Sequence, residues 1–222
     1  MSTRRPYHHG DLPSALLDAA EGLIRERALH GWSLREVSVQ VGVSPSAAYY
    51  HFESRDALVR ALADRVIARV GERLSNAVAS ATGGPQQRLI EFGRSYIRWA
   101  LDDPAVARLA FAAGRTEPRS AISPHPRDVL LAELNRLVDA GFLTEASRRG
   151  ADFVVWAAVH GLATLLLDGL VQFDSDHDVD REVERLVRAV LNGLAHETAP
   201  VPAWPTPRSA HTERSKGAAA ER

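Results

Sequence analysis

Cysteine is absent from the 222 residues, which excludes a disulfide framework, a thiolate zinc site, an iron–sulfur cluster and a cysteine nucleophile. Lys216 is the single lysine, so basicity is carried by arginine. An excess of either charge is also missing: Lys+Arg 27 against Asp+Glu 28 leaves a formal net charge of -1, and a nucleic-acid partner would have to be met by local charge. The longest apolar run, Phe153 to Leu167, is broken by His160 and Gly161 and flanked by Asp152 and Asp168. A bilayer span needs roughly 20 apolar residues, so this run reads as a buried helix and no membrane partner is expected. The N-terminal segment has no apolar core between its arginines and a cleavage site, does not read as a signal peptide, and points to a cytoplasmic address.

Catalytic signatures are missing as well. Gly-x-Ser-x-Gly, the phosphate-binding loop, the dinucleotide-binding glycines and paired carboxylates are not found, so no enzyme activity, catalytic residue or cofactor is expected. Asp174-x-Asp176-x-Asp178 imitates the start of a calcium loop, but Val179 replaces the glycine and Arg185 stands where the bidentate glutamate belongs. His8, His9, His51, His125, His160 and His177 share no ligand spacing, and no metal site is expected. Alternating strand patterns are absent too.

What is present is a soluble composition, 45% hydrophobic and 25% charged, with apolar residues at helical spacing. Leu12, Ala15, Leu16, Ala19, Ala20, Leu23 and Ile24 place one stripe on a helix over about 12–28. Ser33 and Glu36 form a capping box that opens a short helix carrying Leu34, Val37 and Val41, which Gly42 stops. Ser44 then caps a two-turn helix with Pro45 at its first position and the aromatics Tyr49, Tyr50 and Phe52. From Ser54 a long helix carries Leu58, Leu62, Val66, Val70 and Leu74. Further helices are expected over about 86–101, 104–113, 125–140, 144–172 and 179–196. Periodicity is lost after His196, and residues 199–222 read as a disordered tail with Trp204 as its one aromatic.

Two short capped helices around a glycine turn match a helix-turn-helix, whose second helix lies in the DNA major groove. The same pattern fits a generic helical hairpin. Ser46, Tyr49, Tyr50 and His51 are the side chains able to reach outward, and the capped N-termini at Ser33 and Ser44 offer amides to phosphates.

Residues 33–58, SLREVSVQVGVSPSAAYYHFESRDAL, resemble the DNA-binding signature of TetR-family transcriptional regulators. The shared elements are the Gly42-Val43-Ser44 turn, Tyr49-Tyr50-His51-Phe52 and the basic Arg55, and the resemblance extends over about residues 8–65. It implies an all-α fold, in which an N-terminal three-helix helix-turn-helix domain precedes a larger helical bundle for ligand binding and dimerisation. The expected division is 1–52 for DNA binding with a basic arm, 53–198 for regulation and dimerisation, and 199–222 for the tail.

The implied partner is double-stranded operator DNA. The implied contacts are Arg4 and Arg5 of the arm, Ser33, Arg35, Ser44, Pro45, Ser46, Ala47, Tyr49, Tyr50, His51 and Arg55. Pro45-Ser46-Ala47-Ala48 departs from the Lys-Gly-Thr-Leu run common in the family, so base reading would lean on Ser46, Tyr50 and a methyl contact from Ala47, with Ala48 packed inward. Arg55, where the family usually has lysine, is expected on a phosphate, and Tyr49 either touches phosphate or packs.

Trp156 to Gly161 resembles the Trp-x-x-x-His-Gly signature of one class of TetR C-terminal domain. Trp156 and His160 either pack in the core, with Gly161 permitting close helix approach, or wall a pocket with Phe92, Tyr96, Trp99 and Phe111. Aromatic walls suit a largely apolar small-molecule effector. A homodimer is expected through the C-terminal helices, on Leu162, Leu165, Leu166 and Leu170 together with Val183, Leu186, Val187, Val190 and Leu194. An effector would thus release a repressor from its operator.

Overall fold

The computed structural model describes residues 11–28, 31–113 and 123–197. Arg4, Arg5, the expected tail over 199–222 and Trp204 lie outside the described residues. Among the described residues every regular element is a helix.

Helix α1, Leu12–Arg27, starts where the Asp11 side chain accepts from the Ser14 amide, and it buries Leu16, Ala20, Leu23 and Ile24. Helix α2, Leu34–Val41, has the reciprocal box: the Ser33 amide donates to Glu36 at 2.9 Å and the Glu36 amide to the Ser33 hydroxyl at 3.2 Å. Gly42 at φ +80° ends it, a backbone state that glycine enters without Cβ strain, and the Val43 amide turns back to the Ser38 carbonyl at 2.9 Å. Helix α3, Pro45–His51, follows immediately, its Ser44 hydroxyl accepting from the Ala47 amide at 3.2 Å. The turn length is thus set by two caps that leave only three residues between helices.

Helix α4, Arg55–Ser80, is capped by Ser54 and buries Leu58, Leu62, Val66, Val70, Leu74 and Val78, one residue per turn for its full length. It packs on α1 and also on α5 (Pro85–Asp102), α6 (Pro104–Ala113) and α7 (Pro126–Asp139). At Gly71 a Cβ would lie 1.8 Å from the Pro124 carbonyl oxygen, so the chain entering α7 runs directly against the α4 backbone. Opposite it, Glu21 of α1, 3% exposed, accepts from Arg65 and Arg69 of α4, each at 2.9 Å, and from Arg25. Arg25 in turn donates to Asp103 at 2.8 Å, at the start of α6. Charge as well as the apolar core therefore seats α1 on the long helix.

One helix expected over 144–172 is instead two. Thr144 caps the four-residue α8, Glu145–Arg148. Arg149 is then extended, Gly150 sits at φ +76°, and α9 runs Ala151–Leu167. The left-handed glycine redirects the chain between the short polar turn Glu145–Arg148 and the apolar α9. The C-terminal end falls short as well: the Leu170 amide turns back to the Leu165 carbonyl, so residues 168–172 leave the helix. Helix α10, Asp176–Ala195, is capped by Ser175 and packs with α9 against α5. It begins three residues earlier than the sequence pattern suggested, at Asp176 and Asp178, whose charges suit a helix N-terminus.

Candidate nucleic-acid interface

The N-terminal unit turns one face of α2 and α3 outward. Leu34, Val37, Ala48, Leu58 and Trp32 form its core, so the opposite side of each short helix is left to solvent. On α3 that side presents Pro45, Ser46, Tyr49, Tyr50 and His51, with Ala47 half-buried and Ala48 fully buried as expected. Tyr50 is 87% exposed and Tyr49 52%, an arrangement that no packing role explains. The Tyr50 ring meets His51 edge-on at 5.2 Å, and the Ser44 and Ser46 hydroxyls lie 3.2 Å apart. Ser33, Arg35 and Ser44 are exposed beside them. This face carries hydroxyl, phenol and imidazole groups, which can donate or accept, and it is narrow enough to enter a major groove.

Two residues of this region were not singled out from the sequence. Val39, on the outer face of α2, is 69% exposed. Its signal was phase, since it falls outside the stripe of Leu34, Val37 and Val41. Trp32 is buried, donates its indole N–H to the Ala28 carbonyl at 3.2 Å, and carries the Arg55 guanidinium carbon 4.3 Å from its ring centroid. Arg55 is the first residue of α4, four positions after His51 closes α3, and lies 3.4 Å from Asp56.

In the second half, five of the six aromatic candidates meet. Tyr96 lies at ring distances of 5.7 Å from Trp99, 6.1 Å from Phe111 and 5.2 Å from Trp156, and Phe111 reaches His160 at 4.4 Å. The Tyr96 oxygen is 3.0 Å from His160 Nδ1. Burial pushes the Tyr96 phenol above its ordinary range and the His160 imidazole below its own, so both are neutral at pH 7 and share one hydrogen bond. Phe92 is fully buried and makes none of these ring contacts. Two surface clefts lie elsewhere: about 510 Å³ lined by Arg73, Arg94, Arg98 and Asp180, and about 750 Å³ between Ile24 to Ala28 and Asp102 to Arg108.

The expected dimer surface needs correction. Val183, Val187 and Leu194 are buried within the chain against its own helices and are core, not interface. The sequence stripe of α10 serves this inner core first. Gly161 likewise approaches no neighbour among the described residues: a Cβ there would meet nothing within 4 Å. Exposed on α9 and just beyond it are Phe153, Leu165 and Leu170, with Leu170 72% exposed. Among the described residues no group of histidines and carboxylates could hold a metal, and no helix is long and apolar enough to cross a membrane.

Comparison with known proteins gives two matching family models. Residues 16–62 match the model for bacterial regulatory proteins of the tetR family, and residues 89–190 match a tetracyclin repressor-like C-terminal domain. The chain is 20% identical over 179 residues to the uncharacterized HTH-type transcriptional regulator YobS of Bacillus subtilis, covering 81% of this chain and 90% of that one. A solved protein with unknown function from Rhodococcus sp. RHA1 superposes with a TM-score of 0.74 at 26% identity, covering 87% of this chain and 100% of that one. A TetR family transcription regulator from Marinobacter aquaeolei VT8 shares the fold, with a TM-score of 0.61 at 15% identity over 81% of this chain and 93% of that one.

Proposed function

Because the chain belongs to the TetR family of DNA-binding transcriptional regulators, we propose that it represses transcription as a homodimer and leaves its operator when a small molecule binds its second half. The observation that carries the DNA-contacting part is the outward set on α3, above all Tyr50, an aromatic ring held in water at the tip of a capped two-turn helix. In this reading Ser46, Ala47 and Tyr50 touch base edges. Ser33, Arg35, Ser44, Pro45, Tyr49, His51 and Arg55 line the phosphates, and Arg4 and Arg5 add an arm along the duplex. The division into DNA-binding 1–52, regulatory 53–198 and tail 199–222 belongs to the same proposal, as do a cytoplasmic setting and the absence of a catalytic step.

The dimer reading is supported by Leu165, exposed on α9, and by Gly161 and Gly193. Among the described residues a Cβ at either glycine would meet nothing within 4 Å, which leaves room for a partner helix to approach. A two-fold pair presents two recognition helices about 34 Å apart, the repeat of the major groove. The effector reading is supported by the half-buried rings of Trp99, Phe111, Trp156 and His160 around buried Tyr96, a surface suited to a largely apolar or flat molecule. The test is a salt series on duplexes selected by the purified chain from a random pool. Binding should fall steeply as salt rises, because phosphate contacts release counterions. A flat response, or equal affinity for every duplex, would refute the reading.

A further inference from the structure

We infer that Trp32 is a positioning residue for DNA binding: its indole face holds the Arg55 guanidinium in the pose from which it meets a backbone phosphate. The inference rests on the reading of Arg55 as a phosphate contact.

An arginine at the first position of a helix is in an unfavourable place. The amides of the first turn carry partial positive charge, and a cation there is repelled, not held. Its long side chain also has rotamer freedom to lose on binding. Something must offset both if the residue is to be ready for a phosphate. The acidic neighbour, Asp56, is itself 76% exposed and lies at 3.4 Å, a weak partner.

The indole does more. The Arg55 guanidinium carbon sits 4.3 Å from the Trp32 ring centroid, within cation–π distance, and the side chain is only 30% exposed. Trp32 is itself fixed. It is 5% exposed, belongs to the core with Leu34 and Leu58, and its N–H is committed to the Ala28 carbonyl, at the end of α1. Contact with a ring face uses the flat side of a guanidinium and itself consumes no N–H donor. A packed ring, anchored by a hydrogen bond, thus carries a cation at the start of α4, just after α3 ends. Trp32 is a poor candidate for direct contact, since so little of it reaches solvent.

The test is a double-mutant cycle read by affinity for a fluorescent duplex that the native full-length chain has selected from a random pool. In the native background Arg55→Ala should weaken binding roughly tenfold, the loss of a charge-assisted contact. In the Trp32→Leu background the same change should cost roughly threefold or less, because the arginine is no longer held. In Trp32→Phe, which keeps an aromatic face, the larger factor should return. Equal factors in the native and Trp32→Leu backgrounds would reduce Trp32 to a core residue and overturn the inference. No effect of Arg55→Ala in the native chain would instead remove the phosphate contact, and the inference with it. A measurement on the unsubstituted protein stands beside these should Trp32→Leu fail to fold: the Arg55 side-chain protons should be shifted upfield by the indole ring current, and unshifted resonances would overturn the inference.

Discussion

Replacing Glu21 by glutamine removes the charge at the centre of the arginine knot while keeping the side chain's length. The native carboxylate is shut away from solvent and touches Arg25, Arg65 and Arg69. Removing one partner of a fully buried ion pair costs about 3–5 kcal/mol. Here the partners are 24%, 49% and 50% exposed, so they rehydrate in part, and about 2 kcal/mol is the better expectation. For a chain of this size that lowers Tm by about 4–8 °C. Protein concentration must be held fixed, since a dimer's Tm depends on it.

The pH dependence gives the sharper readout. Burial alone would raise the Glu21 carboxyl, but Arg69, Arg25 and Arg65 outweigh it and hold the group below its ordinary value of 4.5. The folded state therefore binds its proton later than the unfolded state. The stabilisation is fully present above pH 4.5 and is lost as pH falls through the depressed folded value. Urea titrations followed by circular dichroism across this range should show a constant gap between native and Glu21→Gln proteins near neutrality, closing in acid. A gap that stayed constant into acid, or a variant as stable as the native chain at pH 7, would refute the reasoning.

Gly93→Ala should destabilise by about 1 kcal/mol in thermal melts: its Cβ would stand 3.1 Å and 3.2 Å from Val183 and Val187, and that overpacking outweighs the gain in helix propensity. Leu165→Arg on the exposed face of α9 should shift sedimentation from dimer to monomer without loss of helicity. Tyr50→Ala should relax discrimination at one or two base positions, each worth about 1–3 kcal/mol, and leave binding to unrelated duplexes unchanged when preferences are resequenced. His160, its imidazole pushed below 6.5 by burial, resists protonation when folded. Native stability should therefore fall as pH drops below 6.5, and His160→Gln should remove that part of the slope in denaturant titrations.

The sequence made the caps and stripes legible because both are local. Ser33 with Glu36, Ser44 before Pro45, and the residues from Leu58 to Leu74 each act within a turn or two, and the structure has them as read. The meeting of Tyr96 with His160, 64 residues apart, was foreseen only as a set of aromatics, with no distances. What stayed hidden depends on partners from other elements. Val183 and Val187 look alike as interface or core until Gly93 is known to face them. Trp32 has no periodic neighbour to announce it, because its role comes from an arginine 23 residues later folding back over it. The break at Gly150 shows a third limit, since a single left-handed residue separates the polar turn Glu145–Arg148 from the apolar α9.

The carbonyl of Pro124 pressed against Gly71 gives α4 a fulcrum. From Gly71 to Arg55 the helix extends as an arm of about 24 Å, at 1.5 Å per residue. A tilt of about 5° about that point sweeps Arg55 through about 2 Å, and two such arms in a two-fold pair double the change in their separation. Hydrogen bonds to phosphates tolerate only a few tenths of an ångström around 3 Å. In the proposed two-fold pair a rotation of about that size would thus be ample to spoil the fit of both recognition helices at once.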